Sequence, residues 1–249
     1  MVGSNNKVYL FKTFIQWQAR TRVMFHSRIL ARYVSSFVFL LVIFNFSSHA
    51  VTRDGSRNNA TCGIEQGQPL TNAYGPWDFT NPTHAEKLPI VLRVHFTSDV
   101  ERLISGATGG IEHDLDYTLR AIPNYHRALF TIARHQRANG TIPNIYTAEC
   151  YFKRAIYFQP QDAVSRMLFG IHLHMIQDYS AALTQYTNAL SISPSNIEIH
   201  YNMALTYIET GEFEKAREHA EIAYQGGYPL QGLKNKLKEL GYYADISSP

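Results

Sequence analysis

The sequence has few of the patterns that carry common enzyme chemistry. It contains two cysteines in 249 residues, Cys62 and Cys150, and two distant cysteines are too few for a cysteine zinc site. It has no HExxH helix, no G-x-S-x-G turn and no glycine-rich phosphate loop. These absences remove the usual signatures of metalloproteases, serine hydrolases and nucleotide-binding enzymes, and no cofactor is predicted.

Acidic residues are absent from residues 1–50, which carry six basic ones: Lys7, Lys12, Arg20, Arg22, Arg28 and Arg32. Removing these six from the 23 Lys and Arg leaves 17 against 20 Asp and Glu, a net charge of −3 for the rest of the chain. The overall pI near 8.8 therefore comes from the N-terminal segment. Nucleic acid is not predicted as a partner, because that needs positive charge clustered on the folded part.

Charge is also missing from the apolar run at residues 33–46, "YVSSFVFLLVIFNF". Arginines precede the run and small residues follow it, a pattern typical of a secretory signal cleaved after Ala50. The basic region is long if translation starts at Met1 and of normal length if it starts at Met24. The alternative is an uncleaved anchor through residues 33–46, although a membrane span needs about 20 residues. Both interpretations place the rest of the chain outside the cytoplasm, periplasmic or secreted, with membrane contact only through the N-terminal segment.

The two cysteines fit this location. An isolated pair in an oxidising compartment tends to bond, so a Cys62–Cys150 disulfide is predicted. Two buried free thiols are the alternative.

A 34-residue period runs through the C-terminal half of the chain. It relates Ala148, Ala182 and Ala216, then Ala155, Ala189 and Ala223, and also Pro160 and Pro194 and the small residues Gly170 and Ala204. Small residues at a fixed period mark places where two helices approach closely, and proline ends each unit because it cannot continue a helix. The pattern predicts helical hairpins.

Two of these units resemble the tetratricopeptide repeat: "AVSRMLFGIHLHMIQDYSAALTQYTNALSISP" (163–194) and "IEIHYNMALTYIETGEFEKAREHAEIAY" (197–224). The resemblance implies an all-α, right-handed α-solenoid over residues 111–249, with about three hairpins and a capping helix. The hairpins would span about 124–160, 163–194 and 197–229, with the cap at 230–243. The first consensus aromatic is absent, since Arg166 and His200 stand in its place.

For residues 51–110, the sequence predicts an irregular N-terminal arm with short helices. "IVLRVHF" (90–96) fits a strand or a helix, and its helical surroundings favour a helix, while Ser98 and Glu101 have the spacing of a capping box. The segments "GPWDF", "DVERL" and "DLDYTLRAIPN" are similar to a family of exported bacterial tetratricopeptide proteins. That resemblance implies the fold and export, and it implies no reaction, substrate or partner.

By family position, the concave groove would be lined by Met167, Ile171, His174, Tyr201, Leu205 and Ile208. The lysine and asparagine with which some relatives clamp a C-terminal carboxylate are absent from these positions. The predicted partner is a protein or peptide bound in an apolar groove as an extended or helical segment. The alternative occupant is the chain's own "GPWDFTNP" (75–82).

The stretch "HDLDYTLRAIPNYHRAL" (113–129) concentrates potential ligands. His113, Asp114, Asp116 and His126 could bind a metal together with His95 or Asp99, which would suggest a metal-dependent enzyme of the cell envelope. In the structural interpretation, Asp114 or Asp116 caps a helix, Asp116 pairs with Arg120 and Asn124 caps the next helix. The structural interpretation accounts for more residues. The sequence therefore favours a scaffold without catalytic or metal-binding residues, with an envelope structural subunit as a further option.

Overall fold

The computed structural model describes residues 58–243, which contain ten α-helices, one short 3-10 helix (Pro82–His84) and no strand. The α-helices are α1 Leu88–His95, α2 Ser98–Glu101, α3 Ile111–Ala121, α4 His126–Asn139, α5 Ala148–Phe158, α6 Ala163–Met175, α7 Tyr179–Ile192, α8 Ile197–Glu209, α9 Phe213–Gln225 and α10 Gly232–Glu239.

The chain divides into two units, Met1–Gly55 and Ser56–Pro249, and all described residues belong to the second. The predictions for the signal or anchor, the run at 33–46 and the start at Met24 lie outside the described residues. No helix within residues 58–243 is both long and apolar enough to cross a membrane. The domain boundaries stay predictions.

Side-chain caps set the starts of the repeat helices. Asp162, Asp178 and Asn196 each accept a hydrogen bond from a backbone N–H in the first turn of α6, α7 and α8. Such caps satisfy N–H groups that have no partner within the helix. Gly211 ends the turn after α8 with a φ of 77°, in the left-handed region that glycine adopts without steric penalty.

The helices form a solenoid, as the sequence predicted. Each helix from α3 to α10 packs on the next one, α4, α6 and α8 also lie side by side, and α10 packs on α8. The hairpins are α4–α5, α6–α7 and α8–α9, with α10 as the terminal helix. Close approach within the second hairpin depends on Gly170, where an added Cβ would lie 2.5 Å from the buried ring of Tyr186.

The N-terminal arm lies along α5 and the α3–α4 corner. The predicted disulfide joins Cys62 to Cys150 in α5. Beside it, the Arg154 guanidinium donates to the Cys62 carbonyl, and the Tyr157 hydroxyl bonds to the carbonyls of Glu65 and Gln68. The arm is thus held by one covalent bond and several hydrogen bonds to the same helix.

Three predicted helix caps are wrong, while the helix predicted at 90–96 is confirmed by α1. Thr97, not Ser98, caps α2 through its hydroxyl. Helix α3 begins at Ile111, so Asp114 and Asp116 lie inside it and cannot cap it. Asn124 does not cap α4, because its amide bonds to the arm at Phe79 and Asp78.

Candidate peptide-binding groove

The first helices of the three hairpins carry equivalent residue triplets, each spaced by four and then three positions. Residues at this spacing share one face of a helix, and the three helices lie side by side. We call this surface the inner face. Its residues are Phe130, Arg134 and Arg137 in α4, Met167, Ile171 and His174 in α6, and Tyr201, Leu205 and Ile208 in α8.

Burial divides the inner face into a floor and an accessible part. Phe130, Met167 and Tyr201, the first residue of each triplet, are 3–7% exposed, and so is Ile171. Tyr201 is covered because it stacks on Tyr228 with ring centroids 4.0 Å apart. The residues that a partner could touch are partly exposed: Arg134, Arg137, His174, Leu205 and Ile208.

The accessible part over α6 and α8 is uncharged. The His174 Nδ1 lies 2.8 Å from the Thr206 hydroxyl, and burial lowers the pKa of His174 to about 4. The ring is therefore neutral at physiological pH. Together with Leu205 and Ile208, it forms a surface suited to apolar side chains.

The part over α4 is positively charged, and sequence reasoning missed it. Arg134 and Arg137 occupy the positions of Ile171 and His174, but the loop between α4 and α5 is longer than the equivalent loops and shifts the repeat by three residues. Ala133, at the position of Gly170, sets this register, and the hairpin at about 124–160 was predicted, but groove residues were assigned only in the two later hairpins. Burial, followed by the like charge of Arg134, lowers the pKa of Arg137 to about 10, so both guanidinium groups stay charged at neutral pH.

The segment "GPWDFTNP" makes its hydrogen bonds and ring contacts away from the inner face. Trp77 donates its backbone N–H to the Ala121 carbonyl, Asp78 accepts from Asn124 and Gln159, and Phe79 packs edge-on against Tyr125. These contacts lie where α3 meets α4 and where α5 ends. They engage none of the six predicted groove residues.

The potential ligands in the His/Asp stretch each contact different residues. His113 is exposed beside Glu112. Asp114 accepts hydrogen bonds from the backbone N–H groups of Ala107 and Thr108, and its other oxygen lies 2.9 Å from His95. These hydrogen bonds outweigh the opposing effect of burial and hold the pKa of Asp114 below its ordinary value.

Asp116 and His126, the other two candidate ligands, also have partners of their own. Asp116 accepts from Arg120, as predicted, and from the Tyr151 hydroxyl. The His126 Nε2 lies 2.7 Å from an oxygen of Asp162. No three His, Cys, Asp or Glu side chains within residues 58–243 are grouped so that they could hold an ion. The arrangement supports structural roles for this stretch.

A polar pocket of about 420 Å³ lies under the arm, lined partly by Leu70, Arg120 and Arg154. Its arginines hold the fold together: Arg120 bonds to Asp116 and Asn72, and Arg154 bonds to the Cys62 carbonyl. The pocket therefore lies at the contact between the arm and the helices, and its arginines have structural roles.

The repeats have a known counterpart. A family model described as "TPR repeat" matches residues 173–211, the region of α7 and α8. The chain contains a TPR repeat in this region. Solenoids of such repeats stack helical hairpins and in general use the resulting concave surface for binding.

Two solved structures are similar to this chain. One, titled "Crystal structure of MamA", is 19% identical with a TM-score of 0.41, and the match covers 53% of this chain and 78% of the other. A second, titled "Crystal structure of MamA protein", has the same identity and TM-score and covers 62% of this chain and 88% of the other. No curated protein sequence matches the chain.

Proposed function

We propose that this TPR protein is an extracytoplasmic scaffold that binds a segment of a partner protein along its inner face. The observation that carries the proposal is the partly exposed apolar surface formed by His174, Leu205 and Ile208. Apolar surface that neither the core nor the arm covers favours a bound segment, because burial releases about 25 cal/mol per Å². The arm, which could compete for this surface, is bound at the α3–α5 corner.

Partner binding is tested with a photo-crosslinking amino acid at Ile208. We expect one discrete protein adduct when the full-length chain is expressed in its native cells. The matched control carries the same amino acid at Glu218, which is exposed on α9. Leu205→Glu should reduce the Ile208 adduct at least about tenfold, because a buried unpaired carboxylate is strongly unfavourable. Equal adducts at both positions, or an unchanged adduct in Leu205→Glu with an unchanged melting curve, would contradict the groove.

The extracytoplasmic location is supported by the signal-like pattern before Ala50 and by the Cys62–Cys150 disulfide. Disulfides persist in oxidising compartments and are rare in the cytoplasm. When thiols in intact cells are alkylated before reduction, we expect both cysteines to be protected. Alkylation of either cysteine at that step would argue against export.

A further inference from the structure

The strongest unexplained feature of the inner face is the charge at one end of it. Arg134 is half-buried on α4, with its guanidinium 5.7 Å from the centre of the Phe130 ring. Among the described residues, Arg134 takes part in no ion pair. The charge of Glu101 acts on Arg134, but this carboxylate is already bound by both Arg127 Nε and Arg127 Nη2.

This arrangement is unfavourable for the isolated chain. Desolvation of a guanidinium without a carboxylate costs free energy, and it lowers the pKa of Arg134 despite the attraction of Glu101. The like charge of Arg137 adds repulsion. An acidic group from outside the chain would remove both penalties, because a guanidinium binds a carboxylate through two parallel hydrogen bonds.

We infer that the bound segment is acidic at one point: a Glu or Asp side chain contacts Arg134 over α4, and an apolar side chain of the same segment contacts α6. This inference rests on the proposed function. Neighbouring packed helices lie about 8–10 Å apart and an extended chain advances about 3.3 Å per residue. The acidic and apolar residues are therefore separated by about three positions.

An internal acidic residue fits this surface better than a C-terminal carboxylate. The positions that hold a C-terminal carboxylate in clamp-type relatives are apolar here, at Met167, Ile171, Tyr201 and Leu205. Charge on the inner face is confined to Arg134 and Arg137 on α4, so the rest of the segment passes over His174, Leu205 and Ile208.

The inference is tested with peptides of random sequence. A phage library of 12-residue peptides is selected on the immobilised full-length chain, and the best sequence is synthesised with a fluorescent label and an amidated C-terminus. We expect enrichment of Glu or Asp about three positions from an apolar residue. Fluorescence anisotropy then gives the Kd for each protein and peptide variant.

Arg134→Gln should weaken binding roughly tenfold, the change typical for loss of one charged hydrogen-bonded pair. Glu→Gln in the peptide should have the same effect, and combining the two changes should add little further loss. Arg134→Lys should retain part of the affinity, because it keeps the charge and loses the paired hydrogen bonds. Wild-type binding should weaken with salt more steeply than Arg134→Gln binding.

The matched control is Arg217→Gln, which makes the same charge change on α9, outside the inner face. Folding is not expected to mask the result, because Arg134→Gln removes a half-buried like charge and should leave the melting temperature unchanged or raised. If Arg134→Gln binds as Arg217→Gln does while Leu205→Glu abolishes binding, the acidic contact is wrong and the groove stands. If Leu205→Glu has no effect, or no peptide is enriched, the groove itself is wrong and the acidic contact with it.

Discussion

Replacing Cys62 and Cys150 with alanine should lower the free energy of unfolding by about 3–5 kcal/mol. The bond joins residues 88 positions apart. Cross-linking so long a loop removes many conformations from the unfolded chain, and about 4–5 kcal/mol follows from loop length alone. Urea denaturation of the full-length chain measures the difference.

Because other contacts hold the arm around the disulfide, the loss of stability should come mainly from the greater freedom of the unfolded chain. Thr147 donates its backbone N–H to the Asn59 side chain, and Arg154 and Tyr157 bond to carbonyls of the arm. These hydrogen bonds can keep the arm in place after reduction, so the inner face should survive. Lys153→Ala on the same helix removes only an exposed ion pair 3.8 Å long and should change stability by less than about 0.5 kcal/mol. A loss below about 1 kcal/mol in the cysteine variant would mean that the unfolded chain is already compact.

The hairpins were predictable because the residues that the repeat places at a fixed period are those that pack between helices or end them. Gly170 and Ala204 recur at the point of closest helix approach, and the prolines recur at the unit ends. The family resemblance gave the groove residues of α6 and α8, and that assignment stays a prediction. The burial of Met167 and Tyr201 was not predictable, because it depends on neighbouring helices, and for Tyr201 on Tyr228 of the following connection.

The charged end of the inner face was missed for a different reason. The hairpin at about 124–160 was predicted although the longer loop after α4 breaks the period by three residues. Groove residues were assigned only in the two units that match the consensus, so Arg134 and Arg137 were not considered. Only the packing of α4 beside α6 places them in line with Ile171 and His174.

The His/Asp stretch shows what local spacing cannot supply. Its pair at spacing four, Asp116 and Arg120, was predicted and is present. Its other partners come from other elements: Asp114 lies against His95 of α1, and His126 lies against Asp162 at the start of α6. A cluster of potential ligands in sequence is therefore spread over several contacts in space, each of which joins two elements of the fold.

Asp162→Ala should lower the free energy of unfolding by about 3–5 kcal/mol, because it leaves several buried donors without an acceptor. Asp162 is 6% exposed. It accepts hydrogen bonds from the backbone N–H groups of Val164 and Ser165, from the Ser165 hydroxyl and from His126 Nε2. The matched control is Asn196→Ala, the cap at the same position of the next hairpin. Asn196 accepts only from the N–H groups of Glu198 and Ile199, so this change should cost about 1 kcal/mol.

The charge on Asp162 also predicts a pH dependence. Burial opposes ionisation, but hydrogen bonds from His126 and Ser165 outweigh it and hold the pKa of Asp162 below its ordinary value of 3.8. A carboxyl group whose pKa is lowered by folding stabilises the protein above its unfolded pKa, and that contribution disappears as the pH falls through the folded pKa. The difference in the free energy of unfolding between wild type and Asp162→Asn should therefore have its largest value at pH 6 and decrease below about pH 4. Asp78 and Asp114, whose pKa values are also lowered, are common to both proteins and cancel in the difference. A difference that stays constant from pH 6 to pH 3 would mean that folding does not lower the pKa of Asp162, so that its charge adds nothing to the cap.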